Sequence, residues 1–316
     1  MVGEILATFG LQPGACVADL TLGHGGHTQH FLKEVGPTGT VLAMDLDGNQ
    51  AEITRNRLEA LGLGDRLRIE LGNFAGIGQA MGKHALVGLD AVLADLGISS
   101  MQIDDPARGF SYRREGPLDM RMDPNRGESA KSLLDSISPE DLAGGLEEFG
   151  DVPLAGSFAR ALLASHRATP FETTTQLADF CLKWHQGSTS PKSGEAWKLR
   201  QGKKKWETHP AARVFQALRI MVNRELANLK HLLRVIPDLL SPGGTIAILS
   251  FHSGEDRLVK AAFEQGLRQG KFSTISDGPI RAGFEERTEN PRSRSAKLRW
   301  AKRAATAQDG DDSGDM

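Results

Sequence analysis

The stretch Val17-Ala18-Asp19-Leu20-Thr21-Leu22-Gly23-His24-Gly25-Gly26-His27 decides the fold of this chain. Val17 to Leu20 is a short run of strand type, and His27 to Glu34 has helical character, so the glycines occupy a turn between a strand and a helix. Glycines there let a ligand approach the backbone, and the helix N-terminus faces that ligand. Working outward, Thr40 to Asp45, Leu67 to Leu71 and Leu89 to Ala94 read as further strands, with a helix near Gln50 to Leu61. Alternating units of this kind predict an α/β fold: a parallel sheet joined by right-handed crossovers, with helices on both faces.

Beyond Asp104 the strand signal stops and helical periodicity takes over. Ser138-Pro139-Glu140-Asp141 is a helix start, an N-cap serine followed by proline and acids in the first turn. Further helices fit Leu154 to Arg167 and Thr174 to His185, and the Ser, Gly, Pro and Lys-rich stretch from His185 to Trp206 reads as a mobile loop. His209 to Leu240 is one long amphipathic segment, after which Ser241-Pro242-Gly243-Gly244 turns the chain into Thr245 to Ser250 and the sheet resumes. Lys271 to Ile275 and Lys297 to Ala301 close it as terminal strands. The expected organisation is a sheet domain over 1–104 and 209–303, a helical insertion over 105–208 for substrate recognition, and an acidic disordered tail over 304–316.

Composition bounds the chemistry. Of 316 residues 39% are hydrophobic and 25% charged, a globular balance in which no apolar run reaches the ~18 residues of a membrane span. The first residues lack the basic flank and apolar stretch of a secretory signal, so a cytoplasmic location is expected, with no membrane partner. Cys16 and Cys181 are the only cysteines, which excludes a disulfide framework, a four-cysteine zinc site and dithiol redox chemistry. Net charge is −2, but the last eight residues carry −4, so the remainder stands near +2. Two local runs are basic, Lys198 to Lys205 and Arg287 to Arg303, and such clusters attract phosphate backbones or simply form solvated surface.

A dinucleotide fingerprint would place glycine where this chain has Thr28, which weakens a NAD reading. S-adenosylmethionine is the better candidate: it has no pyrophosphate and carries a sulfonium and an amino group, so it suits acidic surroundings. Asp45 ends the second strand 22 residues after Gly23, where a carboxylate accepts both ribose hydroxyls. Phe74 follows the third strand at a position suited to an adenine ring, and Asp95-Leu96-Gly97-Ile98-Ser99-Ser100 follows the fourth, at the crevice edge of an open sheet. His24, His27 and His30 lack cysteine or carboxylate support at ligand spacing, and no metal is expected. No phosphate-binding P-loop, zinc-helix motif or nucleophile elbow is present.

Several blocks together resemble the bacterial ribosomal RNA small subunit methyltransferase H family, and the match runs from near residue 1 to about 300. They are Thr21 to His27; Asp95 to Gln102 continuing to Arg108-Gly109-Phe110-Ser111; Pro117-Leu118-Asp119-Met120-Arg121-Met122-Asp123; and His209 to Ile220. Ser250-Phe251-His252-Ser253-Gly254-Glu255-Asp256-Arg257 and Asn290 to Arg299 extend the match. Gly254 stands where the family usually has leucine, and Met1-Val2-Gly3-Glu4 resembles the remainder of a His-x-Pro-Val segment, so the family pattern implies further contacts upstream.

The resemblance implies a Rossmann-like class I methyltransferase that moves a methyl group from S-adenosylmethionine to N4 of a cytidine in 16S rRNA. It implies Gly25, Gly26 and His27 at the methionine end of the cofactor, Asp45 on the ribose, Phe74 beside the adenine, and Asp95 with Gln102 completing the pocket. Asp95 and the Ser99-Ser100 loop are the candidate catalytic groups, with Asp119 in reserve. Arg108, Arg213, Arg219, Arg292, Arg294 and Lys297 are the candidate RNA contacts, to naked 16S rRNA or the small subunit, and Arg121 joins them as flanking surface. Two other classes share parts of this pattern: a NAD-dependent oxidoreductase and a noncatalytic RNA-binding protein on the same fold. Monomer and homodimer are both compatible with the sequence.

Overall fold

The computed structural model describes residues 1–187 and 209–305. These form two compact units, Met1–Gly97 with the chain from Leu226 onward, and Ile98–Glu225. The proposed mobile loop and its Lys198 to Lys205 run, and all but the first residues of the acidic tail, lie outside the described residues.

The first unit is built on seven strands: β1 (Cys16–Asp19), β2 (Thr40–Asp45), β3 (Leu67–Leu71), β4 (Leu89–Asp95), β5 (Leu240–Ser250), β6 (Phe272–Ile275) and β7 (Lys297–Arg303). Their order in the sheet is β3-β2-β1-β4-β5-β7-β6. The first five are mutually parallel, and β7 runs against both of its neighbours. Central strands read as continuous apolar runs because both faces are covered: Val17, Ala18, Ala91, Val92, Leu93, Ala94, Ile246, Ala247 and Ile248 are all fully buried. The edge strand β3 is less covered, with Leu67 buried but Arg68 and Leu71 exposed. Helices α1 (Val2–Phe9), α2 (Gly26–Glu34), α3 (Gly48–Ala60) and α4 (Ile77–Lys83) occupy the early part of this unit. β5 starts five residues earlier than its composition predicts. Gly244 makes this possible: a Cβ there would lie 2.6 Å from the carbonyl oxygen of Leu89, where the β4–β5 register also shifts.

The second unit is helical: α5 (Ser100–Asp104), α6 (Ala130–Ser136), α7 (Pro139–Gly150), α8 (Ala155–Ala168), α9 (Thr174–Gly187) and α10 (Pro210–Asn223). The Ser138 N-cap is as expected, its side chain accepting from the Asp141 amide. Leu142, Leu146, Ala159, Leu162, Leu177, Ala211 and Leu218 are completely buried in one core. α7 and α10 approach closely because Gly150 offers no side chain; a Cβ there would sit 2.6 Å from the Arg213 carbonyl oxygen.

Two boundaries therefore differ from expectation. The segment 209–240 is two helices: Arg224 adopts a left-handed conformation (φ 51°) and ends α10, and α11 (Glu225–Leu239) follows. α10, expected with the sheet domain, packs Val214, Phe215 and Ala217 into the helical core. Apolar periodicity identifies a buried face without naming the partner that buries it. The sheet unit continues with α12 (Ser253–Arg268) and α13 (Phe284–Glu289).

Candidate cofactor and active site

β1, β2 and β4 each end in an aspartate: Asp19, Asp45 and Asp95. Register brings these ends to one edge, since Asp19 pairs with Ala43 and Leu93, and Asp95 pairs with Leu249. Carboxyl ends of parallel strands line the ligand crevice of an open α/β sheet.

The glycine loop is locked from several sides. Gly23 and Gly25 have φ of 46° and 69°, and Gly25 caps α2, its amide donating to the Leu22 carbonyl at 2.6 Å. α3 holds the loop from outside: Thr54 Oγ1 donates to the Gly23 carbonyl at 2.6 Å and Arg57 to that of His24 at 2.6 Å. A Cβ on Gly25 would sit 2.6 Å from Thr54 Cγ2, so this position has neither the conformation nor the space for a side chain. Gly26 begins α2.

Asp19 is 1% exposed; its carboxylate accepts from Thr28 Oγ1 at 2.6 Å and from the Thr21 amide at 3.2 Å. Thr28, which breaks the dinucleotide fingerprint, is therefore the partner of a buried acid. Thr21 Oγ1 in turn accepts from the Asp95 amide at 2.8 Å, tying the loop to β4. Asp45 accepts from the Gly23 amide through Oδ2 (2.7 Å) and from the Asp47 amide through Oδ1 (2.8 Å). Each of its oxygens retains acceptor capacity, two lone pairs being available per oxygen. Burial pushes the Asp45 carboxyl up, with those two hydrogen bonds opposing. Phe74 opens a 3₁₀ turn, Phe74–Gly76, after β3 and is partly buried.

Asp95 and His27 each carry an unsatisfied side-chain atom among the described residues. Among those residues, Asp95 Oδ1 and His27 Nδ1 are buried without a hydrogen-bond partner, and His27 Nε2 stands 3.8 Å from Asp95 Oδ2, beyond hydrogen-bond range. Burial, with the charges of Asp19 and Glu255 adding, pushes the Asp95 carboxyl up to about 7; burial lowers His27. The Asp95 side chain is still 34% exposed, and that solvent contact limits the rise.

These residues fit a cofactor with a cationic centre and a ribose. Three carboxylates on one edge repel a pyrophosphate and attract a sulfonium and an ammonium. The partnerless Asp95 oxygen, the acceptor capacity of Asp45 and the side-chain-free cradle at Gly25 are features that would suit such groups.

In the helical unit the expected groups are largely committed. Ser99 and Gln102 form a capping box on α5: Ser99 Oγ accepts from the Gln102 amide (3.2 Å) and Gln102 Oε1 from the Ser99 amide (2.9 Å), with Ser100 in the first turn. Asp119, the reserve proton acceptor, grips Arg121 through two hydrogen bonds of 2.8 and 2.7 Å. Burial raises its carboxyl, but the Arg121 contacts outweigh it and hold it below the ordinary range, which makes a poor base.

Most of the expected RNA-binding cations have intramolecular partners as well. Arg219 forms a fork with Glu225 (2.7 and 2.9 Å), Arg108 donates to the carbonyls of Arg121 and Met122 (3.0 and 2.6 Å), and Arg213 donates to that of Asp151 (2.7 Å). Lys297 joins Arg299 on Asp256, at 2.8 and 2.7 Å, clamping β7 to α12. Arg292 and Arg294 are exposed in the 3₁₀ turn Pro291–Ser295. Arg108, Arg213, Arg219 and Lys297 thus each have a partner within the protein, one that sequence alone does not disclose.

Sequence reasoning also missed Asn223, which is 101 residues from Met122. Its Oδ1 accepts the Met122 amide (2.7 Å) and its Nδ2 donates to the Met120 carbonyl (2.8 Å). Met120 is fully buried in a left-handed conformation (φ 64°), an unfavourable backbone state held by this clamp. No local signal predicts such a long-range clamp.

The sheet order with its one reversed strand, together with a glycine loop set among strand-end carboxylates, is that of an S-adenosylmethionine-dependent class I methyltransferase. The chain belongs to the MraW methylase family, whose family model matches residues 1–304. It is 44% identical over 308 residues to ribosomal RNA small subunit methyltransferase H 2 of Alkaliphilus metalliredigens, covering 96% of this chain and 84% of that protein. Identity to ribosomal RNA small subunit methyltransferase H 1 of Lachnoclostridium phytofermentans is 43% over 305 residues, covering 96% and 80%. The crystal structure of a putative rRNA-methylase from Clostridium thermocellum superposes with a TM-score of 0.42 at 13% identity, covering 95% of this chain and 94% of that one.

Proposed function

We propose that this protein methylates the exocyclic N4 of a cytidine in 16S rRNA of the small ribosomal subunit, acting in the cytoplasm. The observation that carries the active-site part of this reading is Asp95, a strand-end carboxylate with one buried oxygen lacking any partner. The RNA substrate rests on the relatives' names. When bound, S-adenosylmethionine supplies an electrophilic methyl group on a sulfonium. Asp45 would hold the ribose hydroxyls, Phe74 would flank the adenine, and the Gly25-Gly26-His27 turn would take the methionine end. The cytosine amino nitrogen has its lone pair delocalised into the ring. Asp95 accepts one amino hydrogen, localises that lone pair and takes the departing proton, so the enzyme mainly aligns the acceptor and excludes water. Arg292 and Arg294, exposed in the Pro291–Ser295 turn, are candidates for phosphate contact. Mapping methylated cytidines in ribosomal RNA from cells with and without the gene tests this reading; an unchanged N4 pattern would sink it.

The cysteines support nitrogen over carbon as the acceptor. Methylation at ring carbon C5 ordinarily needs a thiolate to add at C6. Burial, reinforced by Asp90, pushes the Cys16 thiol up to about 11, and burial pushes Cys181, 1% exposed, up to about 12. Cys16 opens β1 at the end opposite Asp19, and Cys181 lies in α9. A Cys16→Ser, Cys181→Ser double variant that folds is expected to retain methyl transfer. A cysteine-dependent covalent adduct with fluorocytidine-substituted RNA would overturn the N4 reading.

A further inference from the structure

β5 runs parallel to β4, with Leu249 opposite Asp95, so its carboxyl end opens on the same edge of the sheet as the cofactor carboxylates. Two residues beyond the end of β5 stands His252, the N-cap of α12, with its side chain 12% exposed. Its Nδ1 accepts from the amides of Gly254 (3.2 Å) and Glu255 (3.4 Å). A ring nitrogen that accepts carries no hydrogen, so the helix cap fixes the neutral tautomer with its proton on Nε2. That Nε2 is buried and makes no hydrogen bond among the described residues. Glu255 Oε1 lies 3.2 Å from it without forming a hydrogen bond, and Glu255, 2% exposed, is itself anchored through Oε2 to the amides of Phe251 (2.9 Å) and His252 (3.3 Å).

A donor buried without an acceptor is costly unless a ligand supplies one. Nε2 cannot serve as a base, because it already holds the proton that the cap denies to Nδ1. Its surroundings also select the kind of acceptor. Glu255 stands beside the ring, and Asp95 is near enough that the Glu255 charge raises its carboxyl. A phosphate or carboxylate is repelled there, whereas an uncharged ring acceptor is not. Cytosine presents such acceptors, O2 and N3, on the edge that also carries its amino group.

We infer that His252 is a base-binding residue: its Nε2–H donates to O2 or N3 of the target cytosine while Asp95 takes the amino side. This rests on the cytosine reading of the proposed function. The donor contacts the base in the ground state and the transition state alike, so its loss is expected in KM more than in kcat.

Two measurements test this. In ¹⁵N NMR of the wild-type protein with S-adenosylhomocysteine, His252 is expected to carry its proton on Nε2 and to respond to cytidine 5′-monophosphate, but not to inorganic phosphate. Asn at 252 preserves the cap acceptor and removes Nε2–H. His252→Asn is therefore expected to raise KM for undermethylated small-subunit RNA about five- to tenfold, with kcat within roughly threefold and S-adenosylhomocysteine affinity within roughly twofold. A proton on Nδ1, an equal response to phosphate, an unchanged KM, or weakened S-adenosylhomocysteine binding would each overturn the assignment. If the variant does not fold, the wild-type NMR decides. Failure of the proposed function is distinguishable, because it shows in wild-type RNA as a missing N4 methyl group.

Discussion

Asp95→Asn is expected to lower kcat for methyl transfer by about a hundred- to ten-thousandfold, the range for losing a positioned proton acceptor. The change is isosteric, so β4 and its pairing with β5 have no reason to rearrange. What disappears is the charge and one acceptor, and if the amide turns its nitrogen inward it meets the substrate's amino group donor to donor. Single-turnover rates with saturating cofactor measure the loss directly; a variant transferring methyl at the wild-type rate would remove Asp95 from the chemistry.

The same substitution has a pH signature. The free Asp95 carboxyl is raised to about 7, chiefly by burial. A bound cation favours the ionised carboxylate, so cofactor binding expels a proton below that value, and wild-type affinity is expected to fall, by up to about tenfold per pH unit, as pH drops below about 7. Stability moves the other way. A raised carboxyl holds its proton longer in the folded state than in the unfolded chain, so the Asp95 contribution declines as pH rises from about 4 toward 7 and is flat above it. Asp95→Asn is expected to remove both slopes, read by calorimetry of S-adenosylmethionine binding and by denaturant unfolding across that window.

Asp45→Ala is expected to weaken S-adenosylmethionine binding by about ten- to a hundredfold, or about 1.5–3 kcal/mol, the worth of a charge-assisted acceptor for two hydroxyls. Asp45 also fixes the Gly23 amide at 2.7 Å, so its removal is expected to loosen the glycine loop. Both effects act in the same direction. Calorimetry with S-adenosylmethionine and NAD separates the rival oxidoreductase, which needs this carboxylate as well: the first should bind and the second should not. Unchanged affinity in a folded variant would take Asp45 off the ribose.

Local patterns carried much of this molecule. The strands from Cys16 to Asp95, the glycine turn, the cap at Ser138, and the placing of Asp45 and Asp95 at or beside strand ends are all written in short windows. Periodicity, propensity and cap chemistry act over a few residues, so they survive being read without a structure. The allegiance of α10 was not legible, because its apolar face would suit either core. Nor were the partners of the charges. Lys297 meets an acid 41 residues away and Arg213 a carbonyl 62 residues away, and only the folded chain closes those distances. Thr28 looked like a defect in a fingerprint until folding set it against Asp19. His252 was visible as a residue, but its tautomer depends on two amides of α12, and its reach to the cofactor edge depends on β5 lying beside β4. Residue type and local geometry were thus determined by sequence; which polar atoms remain free to act was decided by tertiary packing, because a side chain's availability depends on everything folding places within about 3 Å of it.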